Sequence, residues 1–282
     1  THRIGVHQSI AKGYDAAVHA VADMGGNCLQ TFSTSPRAWK PASVTDTEAE
    51  GFRSAADTRD VAPAFFHASY LINVAGSAEV VEKSKRSLRA ELEVASRLGV
   101  VGSVVHVGSF KNGASDAAPA EEDYERVSEN IRDILKRTPD DTLFILENMA
   151  TRKIGRTIEE LEMLVRQIDN DRVRICLDTC HLHAAGIDIS SPDRLDALLE
   201  RVDRVIGRER LAVIHINDSR DEFGSLRDRH ENIGDGRVGN DVFRTILNHP
   251  YTRNLQFILE TPGVDGGGPD EENIRRLRQM IV

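Results

Sequence analysis

The feature that most constrains the fold is a series of eight short apolar segments separated by helical patterns. They read RIGVH (3–7), NCLQTF (27–32), APAFFH (62–67), GSVVHV (102–107), TLFILEN (142–148), VRICLD (173–178), LAVIHIN (211–217) and LQFILET (255–261). Each is continuous and rich in Val, Ile, Leu or Phe, with little polar alternation, as in parallel strands buried on both faces. Between them, apolar residues return at helical spacing. Val81, Leu88, Leu92 and Ala95 share one face ahead of Gly99, a C-cap candidate. Tyr124, Val127, Ile131 and Leu135 form a second face. Ile158, Leu161, Val165 and Ile168 form a third, behind a Thr157–Glu160 capping box. Ser191 and Pro192 open a further helix as N-cap and first helical residue, and Gly207 ends it. Eight strand–helix units in a row predict an α/β fold, a (β/α)8 TIM barrel spanning residues 1–282 as a single domain.

Composition narrows the class of function. At 40% hydrophobic and 29% charged residues, the chain is an ordinary globular protein. The three cysteines, Cys28, Cys176 and Cys180, lack paired spacing, so they read as small core residues in a reducing compartment. The opening THRIGVHQSIAKGYD has no apolar signal-peptide segment, and no stretch approaches the roughly 18 apolar residues of a membrane span. The expectation is a soluble cytoplasmic protein with no membrane contact. The net charge of −9 argues against broad, charge-driven binding to a polyanion. It leaves a nucleic-acid substrate open, because bound divalent cations invert a local potential.

The chemistry is concentrated where the strands end. His67, His106, Glu147, Asp178, His215 and Glu260 close consecutive strands from the third to the eighth. His181 follows Asp178, and the loop after the seventh strand carries Asp228 and His230. In a barrel, strand C-termini and the loops after them build the active face, so all nine residues converge on one mouth. One histidine at one strand end means little. Six successive strands ending in a ligand-type residue are hard to obtain by chance, and carboxylates in FILEN and FILET are costly in an apolar strand unless paired or metal-bound. Imidazole and carboxylate together suit zinc, with manganese or iron as substitutes. A catalytic zinc takes about three protein ligands, so the set predicts two or three ions. Clustered ions fit phosphoester hydrolysis, and sugar isomerisation also uses paired metals.

These segments resemble the endonuclease IV family, zinc-dependent apurinic/apyrimidinic endonucleases of base excision repair. The likeness is carried by GVHQSIAKG, FFHASYLINVA, VVHVGS, ILEN, CLDTCHLHAAG, IHINDSR, DRHENIGDG and ILETP, in order along nearly the whole chain. The resemblance implies three zinc ions. His67, His106 and Glu147 would hold the first; Glu147 would be shared with a second completed by Asp178, His215 and Glu260; and His181, Asp228 and His230 would hold the third. It further implies duplex DNA containing abasic sites as the substrate and an enzyme associated with the nucleoid when acting on DNA; a monomer is the simplest expectation for a face that probes lesions. The phosphodiester 5′ to the abasic sugar would be cut with Glu260 and Glu147 in the catalytic set, leaving a 3′-hydroxyl and a 5′-deoxyribose phosphate. Blocked 3′ ends would also be trimmed.

Arg37 in STSPRAW, with Tyr70 and Leu71 in HASYL, matches the residues that such proteins push into DNA at the lesion. An aromatic ring, a leucine or a guanidinium can fill the gap left by a flipped nucleotide, although the same residues also suit a plain barrel rim. His7 is expected to support the ligands rather than join them, and Asn148 and Asn217 follow ligand positions closely enough to orient them. One departure stands out. After Asn148 the family has a Gly-rich loop, whereas this chain has MATRKIGRT, whose Arg152, Lys153 and Arg156 are candidate phosphate contacts. The competing reading is a metal-dependent sugar isomerase or epimerase on the same barrel. The third ligand group counts against it.

Overall fold

The computed structural model describes residues 2–110, 120–151 and 153–282. Eight parallel strands close into a barrel: β1 (Arg3–His7), β2 (Leu29–Phe32), β3 (Ala64–His67), β4 (Gly102–Val105), β5 (Leu143–Glu147), β6 (Val173–Asp178), β7 (Leu211–His215) and β10 (Gln256–Leu259). They follow one another around the wall in chain order, and β10 pairs with β1 to close it. All eight expected segments are strands, but several ladders are shorter than the apolar runs. His106 and Glu260 lie one residue beyond β4 and β10, where the chain has begun to leave the ladder.

The helices fall where the periodicity places them. The third, α3 (Ala78–Leu98), buries Val81, Leu88, Leu92 and Ala95 and ends on Gly99 in the left-handed conformation, φ 74°. At the start of α5 (Ile158–Ile168), the Thr157 side chain accepts from Glu160 N, and Glu160 accepts from Thr157 N. Ser191 caps α7 (Pro192–Val205) by accepting from Arg194 N. Two features have no periodic signature in the sequence. A short helix, α6 (Thr179–Ala185), follows β6 directly. A two-residue antiparallel ribbon pairs β8 (Asp218–Ser219) with β9 (His230–Glu231). Such short elements carry too few residues to show a repeat.

Alternation along the strands divides the core in two. Outward residues such as Phe66, Leu146, Leu177, Ile214 and Leu259 pack with the helices. Inward residues Cys28, Phe65, Val104, Ile145, Cys176, Val213 and Ile258 form a separate apolar plug inside the barrel. β1 contributes Gly5 at this level, because a Cβ there would stand 1.7 Å from the Cys28 carbonyl oxygen. Successive inward positions are two residues apart. The next inward level therefore reads His7, Gln30, His67, His106, Glu147, Asp178, His215 and Glu260, one residue from each strand or strand end. An apolar floor and a polar ring above it arise from a single step along eight strands.

Behind the wall, Glu91 of α3 is buried and accepts from Ser33 Oγ at 2.5 Å and from Ser103 Oγ. Burial pushes its carboxyl up to about 7. The folded protein thus holds a proton that the unfolded chain releases near 4.5, so stability falls as pH rises from about 4.5 through about 7 and stays lower above that range. Glu91→Gln should remove this component and be more stable than the parent at pH 8, by at most on the order of 3 kcal/mol. Urea midpoints of both proteins at pH 5 and pH 8 check it; an equal loss in both rules out Glu91 as the source.

Candidate metal centre

All nine expected ligand residues come together at the C-terminal mouth. His67, His106 and Glu147 form one group, Glu147, Asp178, His215 and Glu260 a second, and Asp178, His181 and His230 a third; within each group, one donor atom per residue lies within 4.8 Å of the others. Asp228 joins the third from its loop, with Oδ1 3.1 Å from His181 Nε2 and 3.3 Å from His230 Nε2. The resemblance implies Asp178 for the second group; its Oδ2 is also 3.7 Å from His230 Nε2, so it stands between the second and third. Glu147 belongs to two groups, with Oε2 3.2 Å from His67 Nε2 and 2.8 Å from His106 Nε2, and Oε1 3.0 Å from His215 Nδ1.

Hydrogen bonds on the far side of the rings aim the donors. A carbonyl oxygen only accepts, so a ring nitrogen bonded to it carries the proton and the opposite nitrogen presents its lone pair. His67 Nδ1 bonds the Ala68 carbonyl at 2.8 Å, His181 Nδ1 the Asn148 carbonyl at 2.7 Å, and His230 Nδ1 the Glu260 carbonyl at 3.1 Å. In each case Nε2 turns to the carboxylates. The carboxylates are held as well. Asn217 Nδ2 donates to Asp178 Oδ2 at 2.7 Å, and its Oδ1 accepts from Glu260 N at 2.7 Å. Asn148 Oδ1 accepts from Asp178 N at 2.6 Å. Both asparagines thus orient ligand residues.

The donor set fits divalent ions. Among the described residues, His106 Nε2, His181 Nε2 and His230 Nε2 are buried with no hydrogen-bond partner, although each lies close to a carboxylate oxygen. Buried imidazole nitrogens and anionic oxygens crowded together in this way are what a divalent cation between them satisfies. Charge agrees. Burial alone would raise the Glu147 carboxyl, yet His106 and His215 hold it well below the usual carboxylate range. Burial would lower His181, but Asp178 and Asp228 hold it well above its ordinary value. His230 is pushed up to about 9 against burial, by Asp178 and Asp228 first. The carboxylates of this mouth demand compensating positive charge.

Two residues missed in the sequence complete the machinery. Gln30 of β2 is fully buried and touches His7, His215 and Glu260. Its signal was present: it lies two residues after Cys28, as Glu147 lies two after Ile145. Asp218 is buried beside the mouth and accepts from the backbone N–H groups of Ser219, Gly234, Gly236 and Val238. A Cβ on Gly236 would stand 2.4 Å from Asp218 Oδ1, so this turn needs glycine. That knot fixes the loop carrying Asp228 and His230.

The mouth opens into a cleft of about 410 Å³ lined by His67, His106, His181, Asp228, His230 and Glu260, with Tyr70 on its rim. A larger groove of about 730 Å³ adjoins it and shares His7, Phe32, Gly268 and Pro269. Tyr70 is 64% exposed, its ring edge-on to Phe32 at 5.3 Å. Leu71 is half-buried and Arg37 exposed. Ser69 Oγ donates to the Pro36 carbonyl at 2.7 Å, tying the Arg37 loop to the Tyr70 turn. Lys153 is exposed, Arg156 half-buried, and neither lines the cleft; Arg152 lies outside the described residues. His7 faces the ring, 3.5 Å from Glu260. The cysteines are free and buried.

Residues 18–281 match the family model described as xylose isomerase-like TIM barrel. A probable endonuclease 4 of Methanoculleus marisnigri is 39% identical, covering 98% of each chain. The crystal structure of endonuclease IV from Thermus thermophilus superposes with a TM-score of 0.85 at 36% identity, over 99% of this chain and 98% of that one. A 3-keto-D-glucoside 4-epimerase from E. coli, at TM-score 0.70 and 15% identity over 99% of this chain and 100% of that one, shares the fold alone. With the full-length match and the barrel in agreement, this chain belongs to the endonuclease IV family of TIM barrels.

Proposed function

We propose that this nuclease hydrolyses the phosphodiester 5′ to abasic sites in duplex DNA, using three zinc ions, and that it also trims blocked 3′ ends. The observation that carries the reading is the convergence of nine donors in overlapping groups around buried Glu147. His67, His106 and Glu147 would hold one ion; Glu147, Asp178, His215 and Glu260 a second; and His181, Asp228 and His230 a third, with Asp178 near enough to share. Ions there would lower the pKa of a water, clamp phosphate oxygens and offset charge on the departing 3′-oxygen.

The chain's own residues do the rest. Glu260 stands at the cleft wall, partly exposed, with Oε1 accepting from Gln30 Nε2 at 2.6 Å and Oε2 3.3 Å from His215 Nδ1. A carboxylate held this way can orient an attacking water and take its proton. Glu147 has no exposed surface and serves as the shared anion rather than as a proton acceptor. Tyr70, which lines the cleft, would fill the stack where a base is missing, with Leu71 and Arg37 beside it in their loops. Lys153 and Arg156 do not line the cleft and would meet phosphates only beyond it. The reading favours an open, extended substrate because the cleft runs into the 730 Å³ groove, whereas a sugar epimerase encloses a small molecule. We take the enzyme to act as a monomer, one lesion to one mouth.

The purified chain should incise a duplex carrying one tetrahydrofuran residue on its 5′ side, lose that activity on chelation and regain it with zinc, with about three ions per chain by elemental analysis. No incision by the metal-replete protein refutes the assignment. Glu260→Gln should lower the rate roughly 100- to 10,000-fold with the fold intact by circular dichroism, and near-normal turnover removes Glu260 from proton transfer. Tyr70→Ala should weaken binding to the abasic duplex by ~1–3 kcal/mol with zinc content unchanged; undiminished affinity in a gel-shift titration excludes the wedge role.

A further inference from the structure

The other ring-bonded ligand histidines are aimed by backbone carbonyls, but His215 is aimed by a side chain. Gln30 lies in β2, across the barrel interior from β7, and is fully buried. Its Oε1 is 2.7 Å from His215 Nε2; its Nε2 is 2.6 Å from Glu260 Oε1 and 3.0 Å from His7 Nδ1. A glutamine amide offers one oxygen acceptor and two N–H donors, and all of them have partners here.

The orientation of this amide follows from its neighbours. Glu260 Oε1 can only accept when ionised, so the nitrogen of Gln30 must face it; a flipped amide would set two oxygens 2.6 Å apart. The oxygen then faces His215, which must donate from Nε2. His215 Nδ1 is left with its lone pair among Glu147 Oε1 at 3.0 Å, Glu260 Oε2 at 3.3 Å and Asp178 Oδ2 at 3.8 Å. By the same logic His7 Nδ1 accepts and His7 Nε2 carries the proton; among the described residues that buried nitrogen has no partner.

We propose that Gln30 is a positioning residue for the second ion site, holding His215 in the tautomer that offers Nδ1 and holding the Glu260 carboxylate beside it. The inference rests on the reading above that Glu147, Asp178, His215 and Glu260 bind a metal ion. Two substitutions separate the two tasks of the amide. Gln30→Leu removes both, and Gln30→Glu keeps an acceptor for His215 while removing the donor to Glu260.

Zinc-loaded wild type and variants are dialysed against a competing chelator, and zinc per chain is measured together with kcat and KM on the tetrahydrofuran duplex. Gln30→Leu should retain about one ion fewer per chain than wild type and lose roughly 10- to 100-fold in kcat. Gln30→Glu should keep the ion yet lose about as much in kcat with KM little changed. In ¹⁵N spectra of the zinc-loaded wild type, the His215 ring should carry its proton on Nε2, and a proton on Nδ1 overturns the proposal. Zinc content and kcat of Gln30→Leu within about twofold of wild type also overturn it. If Gln30→Leu does not fold, Gln30→Glu decides, and an unchanged kcat overturns it. Failure of the wild type itself to retain zinc would instead sink the metal reading beneath it.

Discussion

Glu147 is a carboxylate with no exposed surface, set among the rings of His67, His106, His181 and His215 at 3.2, 2.8, 3.4 and 3.0 Å. A buried charge of this kind is tolerated only when positive charge stands around it. The rest of the mouth follows from that demand. Three carboxylates and five imidazoles are arranged around or beside this one, and asparagine amides and backbone carbonyls occupy the remaining hydrogen-bonding capacity. Among the described residues, His106 Nε2, His181 Nε2 and His230 Nε2 are buried beside these carboxylates without a hydrogen-bond partner.

The barrel makes this arrangement possible through its strand geometry. Eight parallel strands place their inward side chains in levels, and a move of two residues along every strand changes the level from apolar to polar. The lower level, from Cys28 to Ile258, is an apolar floor beneath the polar ring. The third ligand group is built differently. Asp178 caps α6 by accepting from His181 N, so strand and helix ligands are locked together across one turn. Asp228 and His230 depend on the Asp218 knot, which rigidifies a loop by gathering four backbone amides.

Much of this was legible in the residues. Continuous apolar runs mark strands buried on both faces, and every expected run contains one. The candidate ligand set was visible because ionisable residues at the ends of apolar strands contradict their surroundings. Gln30 escaped notice because an amide is not a ligand type and sits in the middle of NCLQTF, not at its end. Only the inward phase it shares with Glu147 and His215 reveals it. Asp218 escaped because its partners are backbone amides up to 20 residues away, which leave no side-chain pattern.

The sequence by itself determined the eight strands and the nine candidate donors at their ends, because apolar runs and residue chemistry are local properties. The tertiary structure alone decided the phase of the inward faces, that Asp178 stands between two groups, and which nitrogen His67, His181, His215 and His230 turn to the carboxylates. Those outcomes depend on distances between residues as far apart as Gln30 and Glu260, which become neighbours only when β10 closes the barrel onto β1. The rim stands between the two. Arg37, Tyr70 and Leu71 were named from their motif; in the fold Tyr70 stands at the cleft, and the Ser69–Pro36 bond ties its turn to the Arg37 loop.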